Sequence, residues 1–169
     1  MSTLAIREIT DQDRAWLTDF VSEHWGSPVM IAHGVTYDVS QLPGFIAEDQ
    51  DACVGVVTYH WEGQACEIVS LDSLRPGQGI GTRLLDAVKQ AARRAGCTRL
   101  WLITTNDNLN ALRFYQKRGF ILVAVHRNAV QQARMLKPQI PLIGEDGIPL
   151  RDEIELEMLL EAGTGEQAL

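Results

Sequence analysis

The spacing of apolar residues changes several times along this chain, and each change marks an element. Leu4-Ala5-Ile6-Arg7-Glu8-Ile9 alternates as a strand does, and Thr10 or Asp11 can cap a following helix that carries Ala15, Trp16, Phe20 and Val21. From Trp25 to Leu42 the period is lost. This stretch is rich in Gly, Ser, His, Tyr and Asp and is bounded by Pro28 and Pro43, which reads as a surface segment with one short helix. Gly44 to Ala47, Ala52 to Trp61 and Ala65 to Leu71 then read as three strands of an antiparallel meander. Glu48-Asp49-Gln50-Asp51 and Glu62-Gly63-Gln64 are the turns. Period two in the third strand places Glu67, Val69 and Leu71 on one face and Cys66, Ile68 and Ser70 on the other.

Beyond the meander the period becomes helical. Ile80, Leu84, Leu85, Val88, Ala91, Ala92 and Ala95 form one stripe, charged residues lie mostly opposite, and Gly96 stops the helix. Thr98 to Thr105 is a short apolar run suited to a buried strand, so Cys66 to Thr105 reads as a βαβ unit with a parallel strand pair. Asn106-Asp107-Asn108 forms the next turn. A helix from about Leu109 to Arg118 ends at Gly119, Phe120 to His126 is a strand, and Asn128 to Lys137 is helical by pattern. Pro138 to Asp152 is a loop, Glu153 to Leu160 alternates acidic and apolar like a strand with one wet face, and Gly163 to Leu169 is expected to fray.

Composition narrows the class. With 169 residues, 46% hydrophobic and 22% charged, the chain has the make-up of one globular domain, its core from about 4 to 160 and a tail over 161–169. A formal charge of −7 argues against nucleic acid as a partner and mildly favours cationic substrates. The three cysteines Cys53, Cys66 and Cys97 include no CxxC pair, so neither a disulfide framework nor a metal site is indicated, and a reducing cytoplasm is expected. No apolar stretch has the length of a signal or a membrane span, so no membrane association is expected either.

Chemistry concentrates at Leu71 to Leu85, where an apolar strand runs into glycines and then a helix. Gly77, Gly79 and Gly81 allow positive φ and close approach of a ligand, and the helix start offers unpaired N–H groups, a corner suited to a phosphate or pyrophosphate. The same residues also suit a plain tight turn. Gly-Gln-Gly-Ile-Gly-Thr lacks the Gly-Lys-Ser/Thr ending of a P-loop, which sets aside a nucleotide-binding reading. Glu67 shares its face with apolar neighbours, where a carboxylate can act as a general base, directly or through water, or can equally sit at a solvated strand end. His24, Trp25, His33 and Tyr37 are candidates for a substrate pocket, against the alternative that they merely cover the core.

Gly79-Ile80-Gly81 between strand and helix, followed by Asn108-Leu-Asn-Ala111-Leu-Arg-Phe114-Tyr115-Gln-Lys-Arg-Gly119-Phe120, resembles the acetyl-CoA-binding core of the GNAT superfamily of N-acyltransferases. The glycine loop is the weaker of the two motifs and the second is the specific one. The order of elements resembles the family from Leu4 to Leu160. The resemblance implies an α/β fold with a mixed sheet, N-terminal antiparallel strands leading into a central βαβ unit, and helices on both faces. It implies an acetyl-CoA-dependent N-acetyltransferase acting by direct attack of a primary amine in a ternary complex, without a metal. A non-catalytic acyl-CoA-binding or regulatory module of the same fold is the alternative.

Residue by residue, the resemblance implies that Gln78, Gly79, Ile80, Gly81 and Thr82 face the CoA pyrophosphate, and that Leu71 and Ser73 hold the pantetheine through their main chain. The cleft between the strands at Glu67–Ser73 and Thr98–Thr105 is the implied cofactor site. Asn108 can reach the cofactor or simply cap the next helix. Tyr115 matches the tyrosine that donates a proton to the departing CoA thiolate, and Glu67 matches a region that supplies the base. Phe114 is read as the core residue of the Phe114-Tyr115 pair. Pro76 departs from the family pattern, which has Gln or Arg there, and removes one N–H donor that Arg75 or Gln78 could replace. The acceptor, a small-molecule or peptide amine, is expected to be lined by Trp25 to Leu42 and His126 to Asp152. Homodimer formation, frequent in the family, is left open.

Overall fold

A computed structural model describes residues 3–161; the expected frayed tail lies, from residue 162 onward, outside the described residues. The chain divides into two compact bodies. Among the described residues, one comprises 3–28, Asp38–Leu100 and 159–161, and the other Val29–Tyr37 with Trp101–Met158.

The first body holds β1 (Leu4–Glu8), α1 (Arg14–Trp25), β4 (Gly44–Asp49), β5 (Ala52–Glu62), β6 (Ala65–Ser73) and α2 (Ile80–Arg94). Its strands run in the order β1-β4-β5-β6, every neighbouring pair antiparallel. The expected meander is present, with turns shorter than expected: β4 reaches Asp49, and Gln50 and Asp51 alone reverse the chain, both at positive φ. Val54 to Tyr59 are buried without a break because helices cover the sheet here, which abolishes the alternation of a half-exposed strand. The apolar stripe of α2 is buried at Ile80, Leu84, Leu85, Val88 and Ala92. A Cβ placed on Gly55 would stand 2.7 Å from Ile80 Cγ2, so the strand face bearing Gly55 lies beneath α2.

The strand carrying Glu67 departs from strict alternation. Thr58 pairs with Ser70 but Tyr59 pairs with Ile68, so Val69 is an extra residue, a β-bulge. A one-residue insertion swaps the faces on either side of it. Glu67 therefore shares its face with Ser70 and Asp72, not with Val69 and Leu71 as uninterrupted alternation requires, and faces away from α2.

The second body holds β2 (Val29–Ala32), β3 (Val35–Asp38, of which Asp38 falls in the first body), most of β7 (Arg99–Thr105), α3 (Leu109–Lys117), β8 (Ile121–His126), α4 (Ala129–Leu136) and β9 (Glu153–Leu159, of which Leu159 falls in the first body). In this body β9 lies between β7 and β8, antiparallel to β8. The segment expected to be irregular is a hairpin, β2 and β3 joined at His33-Gly34, with φ of 42° and 79°. These two positive values make a tight hairpin turn that Asn-Gly or Asp-Gly would have announced and His-Gly does not. The short helix expected in that stretch survives only as a single 3-10 turn over Val39–Gln41.

The face of β9 expected to be wet is not. Glu153 is only 4% exposed, because His33 of the hairpin covers it and donates its backbone N–H to Glu153 Oε1 at 3.0 Å. Glu155 Oε1 meets His126 Nε2 across the strand pair at 2.9 Å.

The loop from Lys137 to Asp152 is held by side chains that bond to backbone. Arg134 donates to the carbonyls of Ile140, Pro141 and Leu150, and Asn106 bonds Pro149, Arg151 and Asp152. Lys137 Nζ, its pKa lowered by burial, donates to Val29 O at 2.7 Å and ties the end of α4 to the start of the hairpin.

Candidate active site

The glycine corner lies in the first body. Gly77 and Gly79 take φ of 82° and 76°, and a Cβ at either would meet nothing within 4 Å, so the loop surface is open. Gly79 is the N-cap of α2, and among the described residues no side chain caps it. Gly81 and Thr82 lie inside the first turn. Ile80 is buried in the core by its side chain, while its backbone belongs to the open helix start. The 15-residue helix thus presents N–H groups and a positive dipole end beside a loop free of side-chain obstruction, an arrangement that attracts an anion. Arg75, one of the two candidates to replace the donor lost at Pro76, is instead ion-paired with Asp49 at 2.5 Å. Gln78 is exposed on the loop.

Leu71 and Ser73 occupy the last positions of β6, opposite Val57 and Gly55. On the other face of the strand a row of polar groups is buried. Glu67 is 2% exposed and stands opposite His60, and Ser70 Oγ bonds Thr58 Oγ1 at 2.6 Å. Asp72, half-buried and not anticipated from the sequence, continues the row. Burial raises its carboxyl pKa, against a Trp25 indole hydrogen bond and the nearby His24 that lower it, and among the described residues its Oδ2 is buried without a hydrogen-bond partner. The only sequence signal for it was an acidic residue two places after Ser70, near the end of a strand that already carries Glu67. Two carboxylates on one sheltered face can accept protons or an ammonium group.

Of the four residues proposed for a pocket, His24 and Trp25 belong to this body. The His24 ring stacks on Phe20 at 4.2 Å and its Nδ1 meets Phe20 O at 2.9 Å.

Asn108 and Tyr115 belong to the second body. Asn108 Oδ1 accepts the Ala111 N–H at 3.1 Å, the N-cap of α3. Tyr115 is 7% exposed and packs edge-to-face against Phe114 and Phe120, at 5.1 and 5.3 Å. The expected division between Phe114 and Tyr115 is reversed. Phe114 is half-buried beneath the Arg118 guanidinium, 3.8 Å from its ring, and Tyr115 is the core aromatic.

His33 and Tyr37 meet in the hairpin, with Tyr37 OH 3.5 Å from His33 Nε2 and the His33 ring 4.9 Å from that of Trp101. A cavity of about 470 Å³ opens in this body. Ile31, His33 and Gly34 of the hairpin form one wall. Ala129, Gln132, Ala133 and Leu136 of α4 form another, and His126 and Glu153 line the space with them. Its lining comes from the two segments expected to surround the acceptor, together with Glu153, which had been read as a residue of a wet face.

Residues 8–120 match the model of the acetyltransferase (GNAT) family. The uncharacterized protein YdhI of Bacillus subtilis (strain 168) is 47% identical over 146 residues, covering 86% of this chain and 91% of that protein. A GNAT family acetyltransferase from Elizabethkingia anophelis, crystallised with acetyl-CoA bound, has the same fold at a TM-score of 0.70 and 22% identity, over 95% of this chain and 100% of its own. The IAA acetyltransferase from Bacillus cereus ATCC 14579 gives a TM-score of 0.68 at 23% identity, over 93% and 99%. With the family model covering most of its length and a relative this similar over nearly all of it, the chain belongs to the GNAT acetyltransferase family.

Proposed function

We propose that this protein is an N-acetyltransferase that passes the acetyl group of acetyl-CoA to a primary amine by direct attack in a ternary complex. The observation that carries the reading is the open glycine loop before α2: two positive-φ glycines with empty space above them and a helix start with no side-chain cap. That geometry fits the CoA pyrophosphate, with Gln78, Gly79, Ile80, Gly81 and Thr82 around it and the missing Pro76 N–H as its one weak point. The acetyl-CoA bound by the Elizabethkingia anophelis enzyme supports the choice of cosubstrate.

In this reading the main chain at Leu71 and Ser73 holds the pantetheine, and Asn108 adds a polar contact besides its capping bond. Acetyl-CoA supplies a thioester activated toward nucleophiles. Only a neutral amine can attack, so Glu67 takes a proton from the incoming ammonium, directly or through water. A C–N bond forms as the C–S bond breaks, and the Tyr115 phenol donates a proton to the departing thiolate. Neither a metal nor a covalent enzyme intermediate is required. Three unpaired thiols, at Cys53, Cys66 and Cys97, support a reducing cytoplasmic setting.

Calorimetric titration with acetyl-CoA and CoA, beside a thiol-release assay over a panel of amines, tests the proposal. Binding in the micromolar range with amine-dependent thiol release is expected. Tyr115→Phe should lower kcat about 100-fold while leaving acetyl-CoA affinity nearly unchanged. Absence of binding would overturn the reading, and binding without thiol release from any amine would leave an acyl-CoA-binding module.

A further inference from the structure

We infer that the cavity in the second body binds a small organic cation, a primary ammonium group on a compact apolar body, with Glu153 as the residue that recognises its charge. The inference rests on the acetyl-transfer reading only in taking this ligand to be the acetyl acceptor. The binding claim stands on the cavity itself.

Three features of the cavity define the ligand. First, its electrostatics are one-sided. The lining includes one carboxylate, two imidazoles and an amide, with neither Lys nor Arg among the lining residues. Glu153 is 4% exposed, and a carboxylate so shielded from water interacts with an introduced cation far more strongly than a surface carboxylate does. The His33 N–H donates to its Oε1 at 3.0 Å, which fixes the carboxylate against the hairpin wall. His126, which also lines the cavity, meets Glu155 Oε1 through its Nε2 at 2.9 Å.

Second, the facing wall is apolar and made of small residues. Ala129, Ala133 and Leu136 lie on one side of α4 at helical spacing, with Ile31 across from them. Leu136 is 66% exposed, an apolar surface that a ligand's hydrocarbon part would cover. Third, about 470 Å³ lies toward the lower end of the range for small-molecule sites, which suits a single compact amine better than an extended peptide. Lys137 Nζ bonds Val29 O at 2.7 Å, which ties the end of α4 to the start of the hairpin that forms the other wall.

The test uses the full-length protein and direct calorimetric titration. 2-Phenylethylamine is the cationic probe, 2-phenylethanol its neutral counterpart and 3-phenylpropionate the anionic one. The amine should bind about tenfold or more tightly than the alcohol, as expected for a hydrogen bond to a charged group, and the carboxylate should not bind. Glu153→Gln should remove that preference. Ala129→Leu, which narrows the cavity from the opposite wall without touching the carboxylate, should weaken amine and alcohol alike. Thermal unfolding and acetyl-CoA titration of both variants establish that they fold. Equal affinity for amine and alcohol, or amine affinity unchanged in both folded variants, would overturn the inference. Loss of acetyl-CoA binding in the parent protein with amine selectivity intact would instead overturn the acetyl-transfer reading alone. Acetyl transfer insensitive to both variants would leave that reading standing and overturn the assignment of this ligand as the acetyl acceptor.

Discussion

β4 and β8 are six-residue strands with opposite surroundings, and the more apolar of the two is the exposed one. In β4, Gly44 to Ala47 are all buried, whereas in β8 every residue but Ala124 is exposed. Ile46 is 1% exposed and Ile121 59%. β4 lies between β1 and β5 and packs against α2, while β8 closes the strand order with β9 as its partner. A bulge at Val123 also breaks the facing of its side chains. An apolar β-rich run therefore specifies a strand, and what is packed on that strand specifies whether it is core.

The largest effect should come from Ile46→Ala, which opens a cavity in a packed layer and should cost about 2–5 kcal/mol in denaturant unfolding. A loss similar to that of Ile121→Ala would break the comparison. Gly144→Ala comes next. A Cβ there would meet Asp107 Oδ2 at 2.1 Å, where Asp107 also accepts the Glu145 N–H at 2.9 Å, so the substitution should cost about 1–3 kcal/mol. Hydrogen exchange should report that opening at residues 143–149 before the rest of the second body.

Asp72→Asn should stabilise by about 1 kcal/mol at neutral pH, since it removes a charge whose buried Oδ2 has no hydrogen-bond partner among the described residues. Burial raises the folded pKa of Asp72, so its contribution is fully present below the ordinary carboxyl pKa and is lost as pH rises through the folded value. The gain from Asn should accordingly vanish in acid. A fall in melting temperature at pH 7 would contradict this account.

Cys66 sharpens the contrast at alkaline pH. Burial, with Cys97 and Glu67 adding to it, pushes its thiol up to about 12. The stability tied to the protonated thiol is intact below about pH 8.5 and is lost as pH rises through the folded value. Cys66→Ala should flatten the pH dependence of unfolding between about pH 9 and 12. Slow reaction of Cys66 with a thiol reagent in the folded state is the companion measurement. The smallest effect is expected at Ile121→Ala, within about 0.5 kcal/mol, because little surface is uncovered there.

The first body was legible in detail. The stripe of α2 and the three strands of the meander follow from period alone, and the positive φ of Gly77 and Gly79 from residue type. The fold family was legible from Gly79 to Gly81 and Asn108 to Phe120, and the family match bears it out. The face of Glu67 was misread because nothing in Ile68-Val69-Ser70 announces a bulge, which is fixed by pairing with Thr58 and Tyr59. The hairpin at His33 was missed because its turn lacks the usual residues, and with it the burial of Glu153.

By itself, then, the sequence determined the main helices and strands outside the hairpin at His33, the glycine corner and the family, all of which depend on local period and motif. Only the tertiary structure decided that Glu153 is buried beneath a hairpin 120 residues away, that Asp72 joins Glu67 on a sheltered face, and that β8 remains exposed while β4 does not. The physical reason is common to all three. Burial and electrostatic environment are properties of what packs against a residue, and that partner is set by long-range pairing that local period does not encode.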